Sequence, residues 1–120
     1  MKTVLIVEDD KVLSLLLGKM VQKLDLSLIG NATKGREAIE KVRDLKPDLI
    51  LMDIMLEDDV DGIDAVLTLR KENIETPVIF ITGNSDAYNR ERAKSTNYVR
   101  YLIKPISFDL LKESLAEVNW

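Results

Sequence analysis

Apolar and polar positions along the chain switch repeatedly between two periods. Thr3–Val7 is a continuous apolar run that stops at Glu8-Asp9-Asp10. Such a run, bounded by charge, predicts a strand buried on both faces. From residue 11 to 24 the period changes: Leu13, Leu16, Leu17, Met20 and Leu24 recur at helical spacing, with Gly18 among them at a small cost in helix propensity. Residues 26–29 predict a second short strand, followed by Gly30 and Asn31. Residues 34–45 predict a second helix with Ala38, Ile39, Val42 and Leu45 on one face, and Pro47 ends the connection.

Residues 48–53 predict a third strand, whose apolar run Leu49–Asp53 stops on one carboxylate. Glu57-Asp58-Asp59-Val60-Asp61-Gly62 follows as a polar loop, and residues 63–71 predict a helix with Ile63, Val66, Leu67 and Leu69 inward. Thr76-Pro77 opens a fourth strand, Val78–Thr82, and Gly83-Asn84-Ser85 turns the chain. Residues 86–94 are helix formers with only Ala87, Tyr88 and Ala93 apolar, which predicts a weakly packed, mobile helix. Residues 99–103 predict a fifth strand broken by Lys104-Pro105, and residues 107–118 a last helix capped by Ser107 and burying Leu110, Leu111, Leu115 and Val118.

Five strand–helix pairs in alternation predict an α/β fold: a parallel sheet with right-handed crossovers and helices on both faces. At 120 residues, without linker or repeat, residues 1–120 are expected to form one domain. A formal net charge of −4 argues against binding nucleic acid or anionic membrane through bulk charge. No apolar run approaches the ~20 residues of a membrane span, and the first residues read as a strand rather than a signal peptide, so a cytoplasmic location is expected. The chain has neither Cys nor His. That removes thiol nucleophiles, Ser-His-Asp triads, disulfides and ordinary zinc sites, and leaves the chemistry to carboxylates, hydroxyls, Lys and Arg with a hard metal ion.

In a parallel sheet the carboxyl ends of the strands share one edge, where ligands bind. Glu8, Asp9 and Asp10 follow the first strand, Asp53 ends the third, Thr82 the fourth and Lys104 the fifth. Singly each has an ordinary use: Asp53 as a turn or cap residue, the three acids as a cap for the first helix, Thr82 for β propensity, Lys104-Pro105 as loop. Together they predict a cleft. Clustered carboxylates raise one another's pKa, and Mg²⁺ relieves that penalty through oxygen coordination. The cleft can then take a phosphoryl group, with Asp53 as nucleophile forming an acyl phosphate and Lys104 and Thr82 meeting the phosphoryl oxygens.

Val4-Leu5-Ile6-Val7-Glu8-Asp9-Asp10, Leu51-Met52-Asp53-Ile54-Met55-Leu56, Asp61-Gly62, Ile79-Phe80-Ile81-Thr82-Gly83 and Tyr101-Leu102-Ile103-Lys104-Pro105 resemble the receiver domains of two-component response regulators along essentially the whole chain. The resemblance implies a flavodoxin-like, doubly wound five-stranded parallel sheet of strand order 2-1-3-4-5. It implies that Asp53 accepts a phosphoryl group from a phosphohistidine on a sensor histidine kinase or phosphotransfer protein. It implies that Glu8, Asp9, Asp53 and the backbone carbonyl of Met55 hold Mg²⁺, with Asp9 the stronger direct ligand of the acid pair and Asp10 a third acid of less defined role. Thr82 and Lys104 would contact the phosphoryl oxygens, and Tyr101 would be the switch aromatic, moving inward as Thr82 is drawn towards the phosphate. The peptide bond before Pro105 is expected to be cis. The implied function is phosphorelay signalling: a phosphoryl acceptor rather than an enzyme, with room for self-catalysed phosphotransfer and autodephosphorylation. A downstream effector protein or domain reads the switch by protein–protein contact, without nucleic-acid or membrane binding by this chain. A homodimer would form through the last two strand–helix units.

Gly83 has two readings, room for the phosphoryl group and turn chemistry. The loop after Asp53 lacks Pro and is one residue longer than the commonest pattern, and its acidity is expected to bear on kinase docking or dephosphorylation. Asn97-Tyr98 stands where the family usually has Gly-Ala. Asn97 tolerates a left-handed conformation, and the bulk of Tyr98 is expected to reshape the partner-facing surface. Other classes fit less well. A flavodoxin-like cofactor binder needs a phosphate-holding loop where Glu8-Asp9-Asp10 would repel one. A Mg²⁺-dependent phosphohydrolase needs a general acid–base near Asp53, where Met55 stands instead. The alternative kept is a pseudo-receiver, an interaction module that is never phosphorylated, against which the acid pair, Asp53, Thr82 and Lys104 all speak.

Overall fold

Each apolar run of the sequence is a strand parallel to its neighbours. The strands β1 (Thr3–Val7), β2 (Ser27–Ala32), β3 (Leu49–Asp53), β4 (Val78–Thr82) and β5 (Arg100–Ile103) form one sheet of order β2-β1-β3-β4-β5. The helices α1 (Lys11–Lys23), α2 (Gly35–Leu45), α3 (Gly62–Lys71), α4 (Ala87–Ala93) and α5 (Phe108–Leu115) alternate with them. The computed structural model describes residues 1–84 and 86–120; Ser85, part of the expected turn, lies outside the described residues.

The period of two along each strand divides the core into two layers. Leu5, Val7, Ile50, Met52, Val78, Phe80 and Tyr101 face Ala38 and Val42 of α2, Ile63, Val66 and Leu69 of α3 and Ala93 of α4. Val4, Ile6, Leu49, Leu51, Ile79, Ile81 and Leu102 face Leu17 and Val21 of α1 and Leu111 and Leu115 of α5. Burial on both faces is why β1, β3 and β4 read as unbroken apolar runs rather than alternating ones. It also leaves the first polar residue after each run to emerge at the carboxyl edge.

Three expectations need correction. Gly30 and Asn31 do not end β2 but belong to it: the strand runs to Ala32, and Ile29 is bulged out because Val4 pairs with Leu28 while Leu5 pairs with Gly30. Leu16 is 46% exposed and Leu45 43% exposed, although both were expected inward. In α1 the buried stripe centres on Leu17, Gly18 and Val21, which puts Leu16 to one side, and Gly18 lets the helix approach Leu28 of β2. The last helix stops at Leu115, short of residue 118, although Val118 is buried and Ser107 caps the start by accepting from Leu110 N at 3.0 Å. Asn97 is left-handed (φ 56°) and Lys104–Pro105 is cis, both as expected.

Candidate functional site

The carboxyl edge is built by chain reversals at the strand ends. Asp53 closes β3 beside Ile81 of β4 and is buried, 4% exposed. Glu8 follows β1 directly; its amide continues the β2 ladder to Ala32 O at 2.9 Å, which draws its side chain into the edge. Asp9 is exposed beside it. One carboxylate oxygen each from Glu8, Asp9 and Asp53 lies within 4.8 Å of the others. Lys104 follows β5, is held by its amide donating to Thr82 O at 2.8 Å, and puts Nζ 3.0 Å from Glu8 Oε1 and 3.4 Å from Asp53 Oδ2. Glu8 Oε2 accepts from Asp10 N at 3.1 Å, and Glu8 Oε1 is buried with the Lys104 ammonium as its partner.

These neighbours pull the acids apart. Burial, then the hydrogen bond and charge of Glu8, push the Asp53 carboxyl up to about 7 against the opposing charge of Lys104. Asp9 is also raised, by burial first and then by Glu8. Glu8 moves the other way: burial opposes its ionisation, but Asp53, the Asp10 amide and Lys104 together hold it below its usual range. Burial likewise opposes the charge on Lys104, and Glu8 and Asp53 outweigh it, so its pKa is raised. The edge is therefore an over-acidic pocket that holds the Lys104 ammonium and disfavours charge on Asp53. Three carboxylates converging within 4.8 Å, with Asp9 and Asp53 both raised by burial and by Glu8, suit a hard divalent cation.

The other expected residues fall into place unequally. Thr82 is buried at the end of β4, and its hydroxyl accepts from Asn84 N at 3.3 Å; among the described residues it bonds neither Asp53 nor Lys104. Gly83 beside it has open space, since an added Cβ would meet nothing within 4 Å, and no glycine here has positive φ, so a left-handed turn is not its reason. Met55 turns its side chain to solvent two residues past Asp53. Asp10 is the cap of α1, accepting from Val12 N at 2.9 Å and Leu13 N at 3.2 Å, which engages it away from the acid cluster. Tyr101 does not reach the pocket. It lies inward with Phe80 and Tyr98, ring centroids 6.1 and 5.8 Å away, under the Arg90 guanidinium at 4.5 Å, and its buried hydroxyl accepts or donates no hydrogen bond among the described residues.

Two features escaped the sequence. Arg92 of α4 binds Asp61 through both guanidinium nitrogens, at 2.8 and 3.2 Å, and Asp64 at 2.8 Å, tying α4 to the capped start of α3. The Asp-x-x-Asp spacing signals the cap, but nothing local signals its partner 28 residues later. Asp58 accepts from Gly35 N and Arg36 N, a contact between loops with no local signature. Gly62 is required by close approach: a Cβ there would stand 2.1 Å from Asp53 O.

The family described as the response regulator receiver domain matches residues 4–116. The chain belongs to that family. Membership implies phosphorylation-dependent signalling within two-component systems, and receiver domains of this kind are generally not catalytic enzymes. The receiver domain is 31% identical over 115 residues to the probable C4-dicarboxylate response regulator DctR of Halalkalibacterium halodurans, covering 95% of this chain and 50% of that protein. It is 30% identical over 118 residues to the chemotaxis protein CheY of Thermotoga maritima, covering 98% of both. The signal receiver domain of a modulated diguanylate cyclase from Desulfovibrio desulfuricans G20 superposes with a TM-score of 0.89 at 35% identity, covering 98% of this chain and 93% of that one. The chain thus spans about half the length of DctR and nearly all of CheY. No described helix is long and apolar enough to cross a membrane.

Proposed function

We propose that this receiver domain takes a phosphoryl group on Asp53 from the phosphohistidine of a sensor histidine kinase or phosphotransfer protein, and that the change repositions α4 and β5 to control a downstream effector. The convergence of Glu8, Asp9, Asp53 and Lys104 from three strand ends carries this reading. Glu8, Asp9, Asp53 and the Met55 carbonyl would hold Mg²⁺, which supplies positive charge to the acid cluster and to phosphoryl oxygens.

The chain's own residues do the rest. An Asp53 carboxylate oxygen forms the new O–P bond as the N–P bond of the donor breaks, and the imidazole leaves with that electron pair. Asp53 attacks as the carboxylate, which Lys104 favours from 3.4 Å. Lys104 then transfers its charge from the carboxylate to the phosphoryl oxygens, and Thr82 rotates its hydroxyl from Asn84 N to donate to them. The space beside Gly83 accommodates the added group. Phosphorylation adds about −1.5 to −2 charge at this edge. The element placed to respond is α4, where only Ala93 is buried and which follows the loop after Thr82 directly. The non-phosphorylated interaction module finds no support in a site with every one of these groups in reach of the edge.

Beryllofluoride with Mg²⁺ tests the reading as a phosphoryl mimic. At a hundredfold excess over its Kd it should stabilise the wild type by about 2.7 kcal/mol and leave Asp53→Asn unmoved. Equal or no stabilisation of both proteins would contradict the proposal.

A further inference from the structure

We infer that Asp58 is a positioning residue for the acceptor site, capping α2 from across the fold and thereby fixing the loop that carries Met55. The inference rests on the reading above, in which the Met55 carbonyl is a metal ligand. The start of α2 has no cap of its own, because Lys34 at that position makes no side-chain hydrogen bond. Its open amides are met from the loop after β3: Gly35 N donates to Asp58 Oδ1 at 2.8 Å and Arg36 N to Asp58 Oδ2 at 3.1 Å. Glu57 N donates to Thr33 O at 3.2 Å, and Arg36 reaches Asp59 at 3.1 Å. Gly35 lets the loop lie directly on the helix, since a Cβ there would stand 2.1 Å from Val60 O.

The loop is tied at its other end as well, by Gly62 N donating to Ile54 O at 2.8 Å. Met55 lies between these ties, and its own side chain is 68% exposed. Its neighbours hold the residue on either side, Ile54 fully buried and Leu56 packed on the core, and the backbone ties add to them in placing its carbonyl. The Asp58 side chain is only 16% exposed, whereas that of Asp59 next to it is 78% exposed and, among the described residues, pairs only with Arg36. The two neighbouring acids therefore have different jobs: one is built into the fold, the other is surface charge.

Mg²⁺ affinity by calorimetry, hydrogen exchange of residues 54–61 in Mg²⁺-free buffer and thermal melting would be compared for wild type, Asp58→Ala, Asp58→Asn and Asp59→Ala. Asp58→Ala should weaken Mg²⁺ binding about tenfold and speed exchange in the loop while amides of β1, β3 and β4 stay protected. Asp58→Asn keeps one acceptor oxygen but turns an NH₂ towards the other amide, so it should recover only part of that loss and stay weaker than Asp59→Ala, which removes charge but no cap and should change affinity less than about twofold. Asp58→Asn also carries the comparison should Asp58→Ala fail to fold, by exchanging faster in the loop than Asp59→Ala. Wild-type affinity in Asp58→Ala, or equal weakening by Asp58→Asn and Asp59→Ala, would overturn the inference. Failure of the wild type itself to bind Mg²⁺ would instead overturn the site reading, and unchanged loop exchange in Asp58→Ala would then overturn the capping role on its own.

Discussion

Asp53 occupies a position that is unfavourable to its own charge. The folded chain keeps its proton up to about 7, whereas an exposed aspartate releases it near 4. Between those values the folded state binds more protons than the unfolded one, so stability falls as pH rises across that window and stays reduced above it. Asp53→Asn removes the conflict. In Mg²⁺-free buffer at pH 8 it should be more stable than wild type by roughly 2 kcal/mol, with the difference vanishing towards pH 4. Denaturant melts at the two pH values check this, and a difference independent of pH would refute it. Lys104 opposes the conflict from 3.4 Å and, in the proposed reaction, also meets the phosphoryl oxygens. Lys104→Gln should slow phosphorylation by a small-molecule phosphodonor on the order of 100-fold, measured as the initial rate of acyl phosphate formation. The acids, Thr82 and Lys104 were legible because each follows an apolar run. Helix capping was read for the three acids together; that Asp10 alone takes it was not legible, since three adjacent acids look alike until the helix start selects one.

Among the elements, α3 is closely constrained at its start and α4 is loosely packed. α3 begins at Gly62, pressed against the carbonyl of Asp53. Gly62→Ala must push that strand end aside and should destabilise the fold by about 2 kcal/mol or more, whereas Gly83→Ala, with open space around it, should leave the melting temperature nearly unchanged. α4 buries one residue and is held instead by Arg92 on Asp61 and Asp64. Those partners are partly exposed, so Arg92→Ala should cost less than about 1 kcal/mol of global stability yet speed hydrogen exchange across Ala87–Ala93. Element order and type were legible from periodicity, because β1, β3 and β4 are buried on both faces and β5 is buried at its centre. Edge strand β2 is half-exposed and bulged, which blurs its end. In α1 a run of leucines offers several helical stripes, and packing against Leu28 selects the one through Leu17 and Val21.

At the scale of the whole molecule, the parallel sheet brings the ends of five separate stretches of sequence to one edge. Contacts that cross between distant loops, Asp58 to α2 and Arg92 to α3, set how stiff that arrangement is, and they have no local sequence signature because geometry alone pairs them. The chain spans about half of some relatives and nearly all of another, so the output it governs is a property of the protein in which it acts. The proposed acceptor chemistry rests on residues of the domain itself. Intact-mass spectrometry after incubation with acetyl phosphate, with and without Mg²⁺, tests it most directly when the modified residue is then mapped. One phosphoryl group on Asp53, dependent on Mg²⁺ and missing from Asp53→Asn, is the expected result; no gain of mass by the wild type, or a gain that persists in Asp53→Asn, would contradict the account.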